Sequence, residues 1–521
     1  MVATTTSPPP LLRLSALSLL AHGDFSTSLA SLPPHAPLAV ARLPHRQIFF
    51  LSDPALVAEA ALTRAPALRD RQDVTASGGG IVNGCGAAWS RRRERLRILQ
   101  QPDGLESLAA PAVASAIAAC GCPPYALLLP PAEMLPWSGR LVRHALRKIA
   151  IASDDGPLEA DDPMQLQTGR RRSRSGASGL LLLPLRVLLA PLLAPLAWLF
   201  TRSLMLLARF SLLCEHSALL SQRYPFFDVA EQFTNRRRKE ERRATKMRAR
   251  LRKGLALWRR RKAAAGGEGS VSDWVRDVVR TREEAPHPSN TAPARDVLDA
   301  LLTSKEEGSG GSTRLGHDEM VGVLMDVLTA GGDTTSTTLS TAALLMQKHP
   351  EVAGRVAEEA KEVFGSLPLG CCDEAAIAGA MASAIGQQSR SNGNNNGCLG
   401  YTKAVVMEAS RLYPAAPLLL RVALNDTSIG GYELPKGSGV VASTSLLGRH
   451  PSAWEQPEEF IPERFLPGHP LYRSAEAGKA YMSFGAGPRS CIGQQLAVAI
   501  ASLALAWMVN EAASEGLLEA V

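Results

Sequence analysis

A chain of 521 residues with 45% hydrophobic and 20% charged residues is long enough to bury a sizeable core and has an ordinary globular composition. Its eight cysteines show neither even spacing nor a CxxC pair, which argues against a disulfide framework, a zinc site and secretion. The net charge of +8 is concentrated: residues 236–262 carry a local net of +13, which leaves the rest of the chain at −5. No zinc-finger, RNP-type or helix-turn-helix pattern accompanies that run, so no nucleic-acid partner is expected.

The first 37 residues read as a separate N-terminal segment. The apolar part of MVATTTSPPPLLRLSALSLLAHGDF, Leu11 to Ala21, contains Arg13 and is too short to span a bilayer. Its hydroxyl content, with no acid before Asp24, is similar to an organelle transit peptide. From residue 38 to the end the chain reads as one domain, mainly α with small β-sheets. Residues 38–52 predict two short strands joined at Pro44-His45. Asp53 is placed to cap a helix that starts on Pro54. Residues 87–120 read as helical and basic at their start.

Irregular insertions are expected near 165–270 and 382–398. The first opens with a basic Ser/Gly-rich linker, TGRRRSRSGASG, followed by an apolar stretch at 180–200 that holds Arg186 and three prolines, Pro184, Pro191 and Pro195. This stretch reads either as a membrane-dipping segment or as a buried or poorly ordered insertion. The basic run at 236–262 reads as a solvated face or as a contact for anionic lipid. Residues 317–348 predict a long apolar helix ended by Pro350, and another helix follows directly. SAIGQQSRSNGNNNG, within 382–397, predicts a disordered loop. A helix over 401–412, strands within 418–446 and a last helix after Cys491 complete the chain.

Three patterns carry chemistry. Ala330-Gly-Gly-Asp-Thr-Thr335 sets two glycines, an acid and two hydroxyls inside the long apolar helix. Adjacent glycines there cost about 1 kcal/mol each, and hydroxyls bonding back to the previous turn bend helices. The pattern therefore predicts a kinked, widened helix beside a groove, with Asp333 and Thr334 moving protons. The other reading is a close helix crossing through small residues, with Asp333 exposed. Glu408 and Arg411, three apart, share a helix face. They read as a surface pair unless Arg464, in the irregular segment PERF, completes a network. Last, Cys491 stands between glycine turns. Gly485 and Gly487 permit a tight turn, Gly493 permits close approach to a flat cofactor, and Arg489 supplies a planar cation for a carboxylate. One sulfur with a nearby arginine suits heme better than a four-cysteine cluster.

At these residues the chain resembles the cytochrome P450 family of heme-thiolate monooxygenases. The family's signature Phe-x-x-Gly-x-Arg-x-Cys-x-Gly is filled by Phe484, Gly487, Arg489, Cys491 and Gly493. Ala330–Thr335 resembles its oxygen-activating helix motif, Glu408 and Arg411 with Arg464 its Glu-x-x-Arg network, and Trp89 with Arg93 its Trp-x-x-x-Arg pair. The resemblance implies the cytochrome P450 fold over about 38–510, with a poorer match at 125–290. It implies heme b held by the thiolate of Cys491, with Trp89, Arg93, Arg421 and Arg489 on the propionates and Asp333 and Thr334 delivering protons. Electrons would come ultimately from NADPH through a reductase or ferredoxin docked near RRRERLR, residues 91–97. The substrate would be an apolar small molecule and the location a membrane surface of the endoplasmic reticulum or plastid. The wording around Ser52-Asp53-Pro54, Trp89 and RLYPAAPLLLR is similar to the plant and algal branch that includes plastid carotene hydroxylases.

The chain ends thirty residues after Cys491, where family members continue into a hairpin that lines the substrate pocket. A truncated, inactive, membrane-associated homologue is therefore one alternative; heme titration separates it from the enzymes. A heme-thiolate rearrangement enzyme that does not use O2 is the other, and the Asp333-Thr334 pair argues against it.

Overall fold

The computed structural model describes residues 38–153, 271–303 and 315–520, with short breaks, together with the strand Leu11–Leu14. Contacts divide the chain into a unit of residues 1–156 with 270–521 and a second unit of 157–269; the description below concerns the first. The apolar stretch 180–200 and the basic run 236–262 lie outside the described residues.

The strands are β1 (Leu11–Leu14), β2 (Leu38–Leu43), β3 (Arg46–Leu51), β4 (Leu418–Val422), β5 (Thr427–Ile429), β6 (Tyr432–Leu434) and β7 (Gly439–Ser443). β2 and β3 form the expected hairpin around Pro44-His45, and β1 pairs parallel to β2 through Leu11–Leu14. The sheet order is β1-β2-β3-β7-β4, with β3 and β7 parallel, and β5-β6 stand apart as a second sheet. Alternation along a strand sends successive side chains to opposite faces. Accordingly Leu38, Val40, Phe49 and Leu51 enter one apolar cluster, while Ala39, Ala41 and Phe50 enter another. This part of the sheet is buried on both faces.

The helices that position the site are α1 (Pro54–Ala58), α2 (Gly86–Arg95), α3 (Pro102–Cys120), α4 (Pro131–Ile151), α5 (Val271–Glu284), α6 (Val297–Thr303) and α7 (His317–Met346). They continue with α8 (Pro350–Phe364), α9 (Glu374–Arg390), α10 (Gly400–Leu412), α11 (Thr444–Gly448) and α12 (Gln494–Ser514). Asp53 caps α1 as its sequence position predicts, accepting from the Ala55 and Leu56 amides at 2.8 and 3.0 Å. Such a cap contributes about 1 kcal/mol.

Residues 87–120 are helical as expected, divided into α2 and α3 by a 3-10 turn at Arg97–Gln100. Pro102 is the reason: it has no amide hydrogen to donate and suits only a helix start. The expected loop at 382–397 is helical through Arg390, because the Ala, Ile and Gln residues continue the helix begun at Glu374. Residues 391–398 lie outside the described residues.

α7 runs through the middle, packed against α4, α5, α10 and α12. It meets α4 at very short range. A Cβ on Gly331 would stand 3.0 Å from Leu146 Cδ1, and the Ser138 and Ser340 hydroxyls are 2.7 Å apart in the buried interface. α12 is apolar on every side and long enough to cross a membrane, yet 78% of its most apolar window is buried. It packs on α3, α7, α8 and α10, so its apolarity is that of a central core helix.

Candidate active site

The loop before α12 is shaped by its glycines. Gly485 and Gly487 adopt φ of +68° and +69°, a region that costs side-chain-bearing residues energy. At Gly487 a Cβ would also lie 2.1 Å from the Ala61 carbonyl oxygen, so backbone packing demands glycine there twice over. Gly487–Arg489 make one 3-10 turn, and the Cys491 amide closes the loop by donating to the Phe484 carbonyl at 2.8 Å. Three cysteines are free thiols among the described residues, and Cys491 alone of them is exposed. Gly493 ends the loop, and a Cβ there would stand 4.0 Å from the Cys491 sulfur. Glycine keeps the space over the sulfur clear.

Cations gather beside this thiol. Arg93, from α2, donates to the Ser490 carbonyl at 2.8 Å and to its hydroxyl at 3.1 Å. Arg489 donates to the Gly84 carbonyl at 2.6 Å, and its guanidinium lies 3.9 Å from the centroid of the buried Trp89 ring. Arg93 stands 5.7 Å from the same centroid. Burial holds Arg93 below the ordinary arginine range; the Cys491 sulfur pulls it upward and the charge of Arg489 adds to the lowering. Trp89, Arg93 and Arg489 thus come together as their sequence motifs predict. Arg421 lies on β4 and donates to the Leu420 carbonyl at 2.8 Å. It shares a strand face with Leu419, which lines the Gly485 turn.

The basic patch 91–97 is only partly a surface. Arg92 is 3% exposed, donates to the Ala88 carbonyl and reaches Glu319 at the start of α7 at 3.9 Å. Arg93 is engaged by Ser490. Arg91 and Arg97 are exposed, and Arg97 pairs with Glu94 at 2.9 Å. A helix turns one residue in three or four inward, which a run of arginines conceals.

On α7 the six residues Ala330–Thr335 show the close crossing through small residues with Asp333 exposed. Gly331 and Gly332 face α4, against Leu146 and Arg143. Thr329, Ala330, Asp333 and Thr334 form an exposed stripe on the innermost helix. The helix is unbroken across the motif. The hydroxyls bond back without displacing the main-chain ladder: Thr334 to the Ala330 carbonyl at 2.8 Å, Thr337 to Asp333 at 2.7 Å and Thr338 to Thr334 at 3.0 Å.

Glu408, Arg411 and Arg464 form a buried network, not the surface pair that their spacing alone allows. Arg411 donates to both Glu408 oxygens at 2.7 Å, and Arg464 reaches the same carboxylate at 3.3 Å. Their other bonds go to backbone carbonyls. Arg411 holds those of Gly448, Pro457 and Glu459, and Arg464 holds those of Glu455 and Gln456. An irregular stretch of chain is fixed to α10 in this way.

Sequence reasoning missed Asp326. Its carboxylate accepts from the Ile81 and Val82 amides, the latter at 2.8 Å, and so ties the segment before α2 to α7. The available signal was an acid within an apolar helix, seven residues before Asp333 and hence on the same face. A second omission is the group Arg355, Tyr401 and Glu463. Arg355 stacks 3.7 Å from the Tyr401 ring centroid, and both contact the Glu463 carboxylate. No spacing rule links residues so far apart.

The donor set fits one kind of metal group. Among the described residues no cluster of three or more His, Cys, Asp or Glu side chains exists that would hold a bare ion. A lone accessible thiol beside two guanidiniums suits a flat metal cofactor with anionic arms and one axial sulfur.

Comparison with known proteins gives the same direction. Residues 257–511 match the family model described as Cytochrome P450. Pentalenene oxygenase of Streptomyces avermitilis is 33% identical over 216 residues, 42% of this chain and 42% of that protein. The steroid 17-alpha-hydroxylase/17,20 lyase of Ictalurus punctatus is 30% identical over 246 residues, 45% and 43% of the two chains. Cytochrome P450 2J2 of Homo sapiens is 32% identical over 210 residues, 40% and 37%. The aligned part spans less than half the length of these relatives. A zebra fish cytochrome P450 structure with progesterone superposes with a TM-score of 0.54 at 20% identity, covering 93% of this chain and 90% of that one. The fold is the cytochrome P450 fold, and the family model and the relatives support the cytochrome P450 family, whose cofactor is heme b.

Proposed function

We propose that this chain is a heme-thiolate monooxygenase that inserts one oxygen atom of O2 into a C–H bond of an apolar small molecule. The other oxygen leaves as water, with two electrons and two protons supplied from outside. The observation that carries the reading is the exposed thiol of Cys491 beside Arg93 and Arg489, under glycines that keep its approach clear. When bound, heme supplies the activation of dioxygen, favoured by an axial thiolate. Cys491 is its ligand in this reading, with the loop fixed by the Phe484 carbonyl. Trp89, Arg93, Arg489 and Arg421 orient the propionates. Arg411 and Arg464, through Glu408, keep the neighbouring irregular segment in place.

Asp333 and Thr334 move the protons. The Thr334 hydroxyl donates to the Ala330 carbonyl at 2.8 Å, which leaves its oxygen lone pairs directed to the exposed side. It accepts a hydrogen bond first and passes a proton on by turning away from that carbonyl. The exposed carboxylate of Asp333 exchanges protons with water. General acid–base groups of this sort contribute about 10²–10⁴-fold. An acidic electron-donor protein, drawing ultimately on NADPH, suits the exposed Arg91 and Arg97.

The names of the relatives cover a pentalenene oxygenase, a steroid hydroxylase and a flavonoid hydroxylase, which supports a carbon-skeleton small molecule as the substrate. A carotenoid-type substrate, in the plant and algal branch, is the narrower form of the proposal and rests on the wording of three short motifs. Membrane attachment through 180–200 and 236–262, at the endoplasmic reticulum or plastid, belongs to the same reading. Flotation on anionic liposomes tests it: a 180–200 deletion should stay at the bottom of the gradient, and equal flotation of parent and deletion refutes it.

The central experiment is heme titration of the purified chain. The parent should take up one heme and show the red-shifted carbon monoxide band of thiolate ligation; Cys491→Ala should lose that band. Thr334→Ala should keep the band yet release peroxide in place of product. Survival of the band without Cys491 overturns the ligand assignment, and undiminished coupling in the Thr334 variant favours a rearrangement enzyme.

A further inference from the structure

Helices α3, α9, α10 and α12 enclose a cavity of about 50 Å3 that the proposed heme chemistry does not use. That is room for roughly three to five waters, or for a molecule of four to six heavy atoms. Its walls are mainly apolar, with Ile385 from α9 and Leu503 from α12 both buried. Three polar groups reach it: Lys403 of α10, and Ser502 and Gln495 of α12.

Two of these groups lack the partner that their surroundings call for. Ser502 is 5% exposed, and its buried hydroxyl makes no hydrogen bond. A buried helical serine ordinarily bonds back to the previous turn, as Ser410 does to the Val406 carbonyl at 2.7 Å. Ser502 does not, and it lines the cavity. Lys403 has no ion pair among the described residues, and burial pushes its ammonium below the usual lysine range. A half-buried ammonium with no ion pair among the described residues and a buried hydroxyl without a hydrogen bond are both costly. A ligand that accepts from both removes the cost.

We propose that this cavity binds a short-chain monocarboxylate, with its two oxygens on Lys403 Nζ and Ser502 Oγ and its alkyl tail against Ile385 and Leu503. The exposed Gln495 stands at the mouth. Phosphate fits the wall chemistry poorly. It brings four oxygens and up to two charges, against one ammonium, one hydroxyl and an amide at the rim, so its remaining oxygens would lose water to apolar walls. An alcohol of the same size satisfies Ser502 but leaves Lys403 uncompensated.

Isothermal titration of the full chain at pH 7 tests this without reference to heme or turnover. Butanoate should give a saturable 1:1 isotherm, while inorganic phosphate and butan-1-ol should give none over the same range. Lys403→Met should weaken butanoate about tenfold or more, as loss of a charged hydrogen bond requires, and Ser502→Ala about three- to tenfold. Ala499→Leu fills the cavity from its lining and leaves both polar groups in place; it should abolish binding even where Lys403→Met fails to fold. No saturable heat with the parent, binding of phosphate as tight as butanoate, or unchanged affinity in Ala499→Leu each overturns the proposal.

Discussion

Replacing Glu408 by glutamine removes one charge and almost no volume, at a site where every partner is fixed. Glu408 and Arg411 are 0% exposed and Arg464 is 3% exposed. The carboxylate takes both Arg411 bonds at 2.7 Å, the Arg464 contact at 3.3 Å and the Ile461 amide at 2.9 Å. Burial already holds the Arg464 guanidinium below its ordinary range, with the Glu408 charge acting against that. In Glu408→Gln two guanidiniums remain buried with no counter-charge in the network. Breaking a buried pair from one side costs about 3–5 kcal/mol, far more than the net contribution of the intact pair. Against a typical stability of about 5–15 kcal/mol this is a large share. Trp454 is a local reporter, because its buried ring lies 5.1 Å from the Arg411 guanidinium. Urea unfolding followed by tryptophan fluorescence should show a midpoint lower by about 1–2 M, for a slope near 3 kcal/mol per molar. A loss below about 1 kcal/mol would refute the reasoning, for it would mean that backbone carbonyls and not the carboxylate neutralise the two arginines.

Asp326→Ala should expose the Ile81 and Val82 amides to hydrogen exchange and cost about 1–3 kcal/mol locally, the usual penalty for orphaned donors; unchanged protection at both residues contradicts the clasp. Glu359 gives a pH dependence. Its carboxylate caps α10 by accepting from the Tyr401 and Thr402 amides at 2.7 and 2.8 Å, and burial raises it above the usual carboxylate range. A raised folded value means tighter proton binding in the folded chain. Its contribution is therefore fully present below the ordinary glutamate range and is lost as pH rises through the folded value. The denaturation midpoint should fall across that window in the parent and fall less in Glu359→Gln; parallel curves exclude the assignment.

What the sequence disclosed about the site were short-range constraints. Glycines at 485 and 487, a proline after them and an arginine before the sulfur are all local requirements of one loop, and the loop is as they predict. The Asp53 cap and the hairpin at 38–51 are local in the same sense. The buried character of Glu408 was not legible, because a spacing of three on a helix fits a solvated pair as well as a core one. Burial there is decided by five carbonyls between Gly448 and Glu459, up to 51 residues away, which converge on the two arginines. The arginine run at 91–97 misled in the opposite sense. Charge density in sequence says nothing of which residues a helix turns inward, and Arg92 is turned inward.

The motif on α7 shows why one pattern supported two readings. A glycine pair in an apolar helix signals either close packing or a deformed backbone, and threonines signal either back-bonding or chemistry. On α7 the close packing and the back-bonding stand on different parts of its circumference. Gly331 lets α4 pack closely, with Leu146 Cδ1 3.0 Å from the position of a Cβ, so that a side chain there would have to displace it. That approach fixes the rotation of α7 about its axis, and rotation is what sets Asp333 and Thr334 on the exposed stripe. Back-bonding by Thr334, Thr337 and Thr338 then holds the hydroxyls in defined rotamers without breaking the helix. The packing is thus the cause of that placement. A bulkier residue at 331 would move the Asp333 and Thr334 side chains through the backbone, although it would touch neither of them.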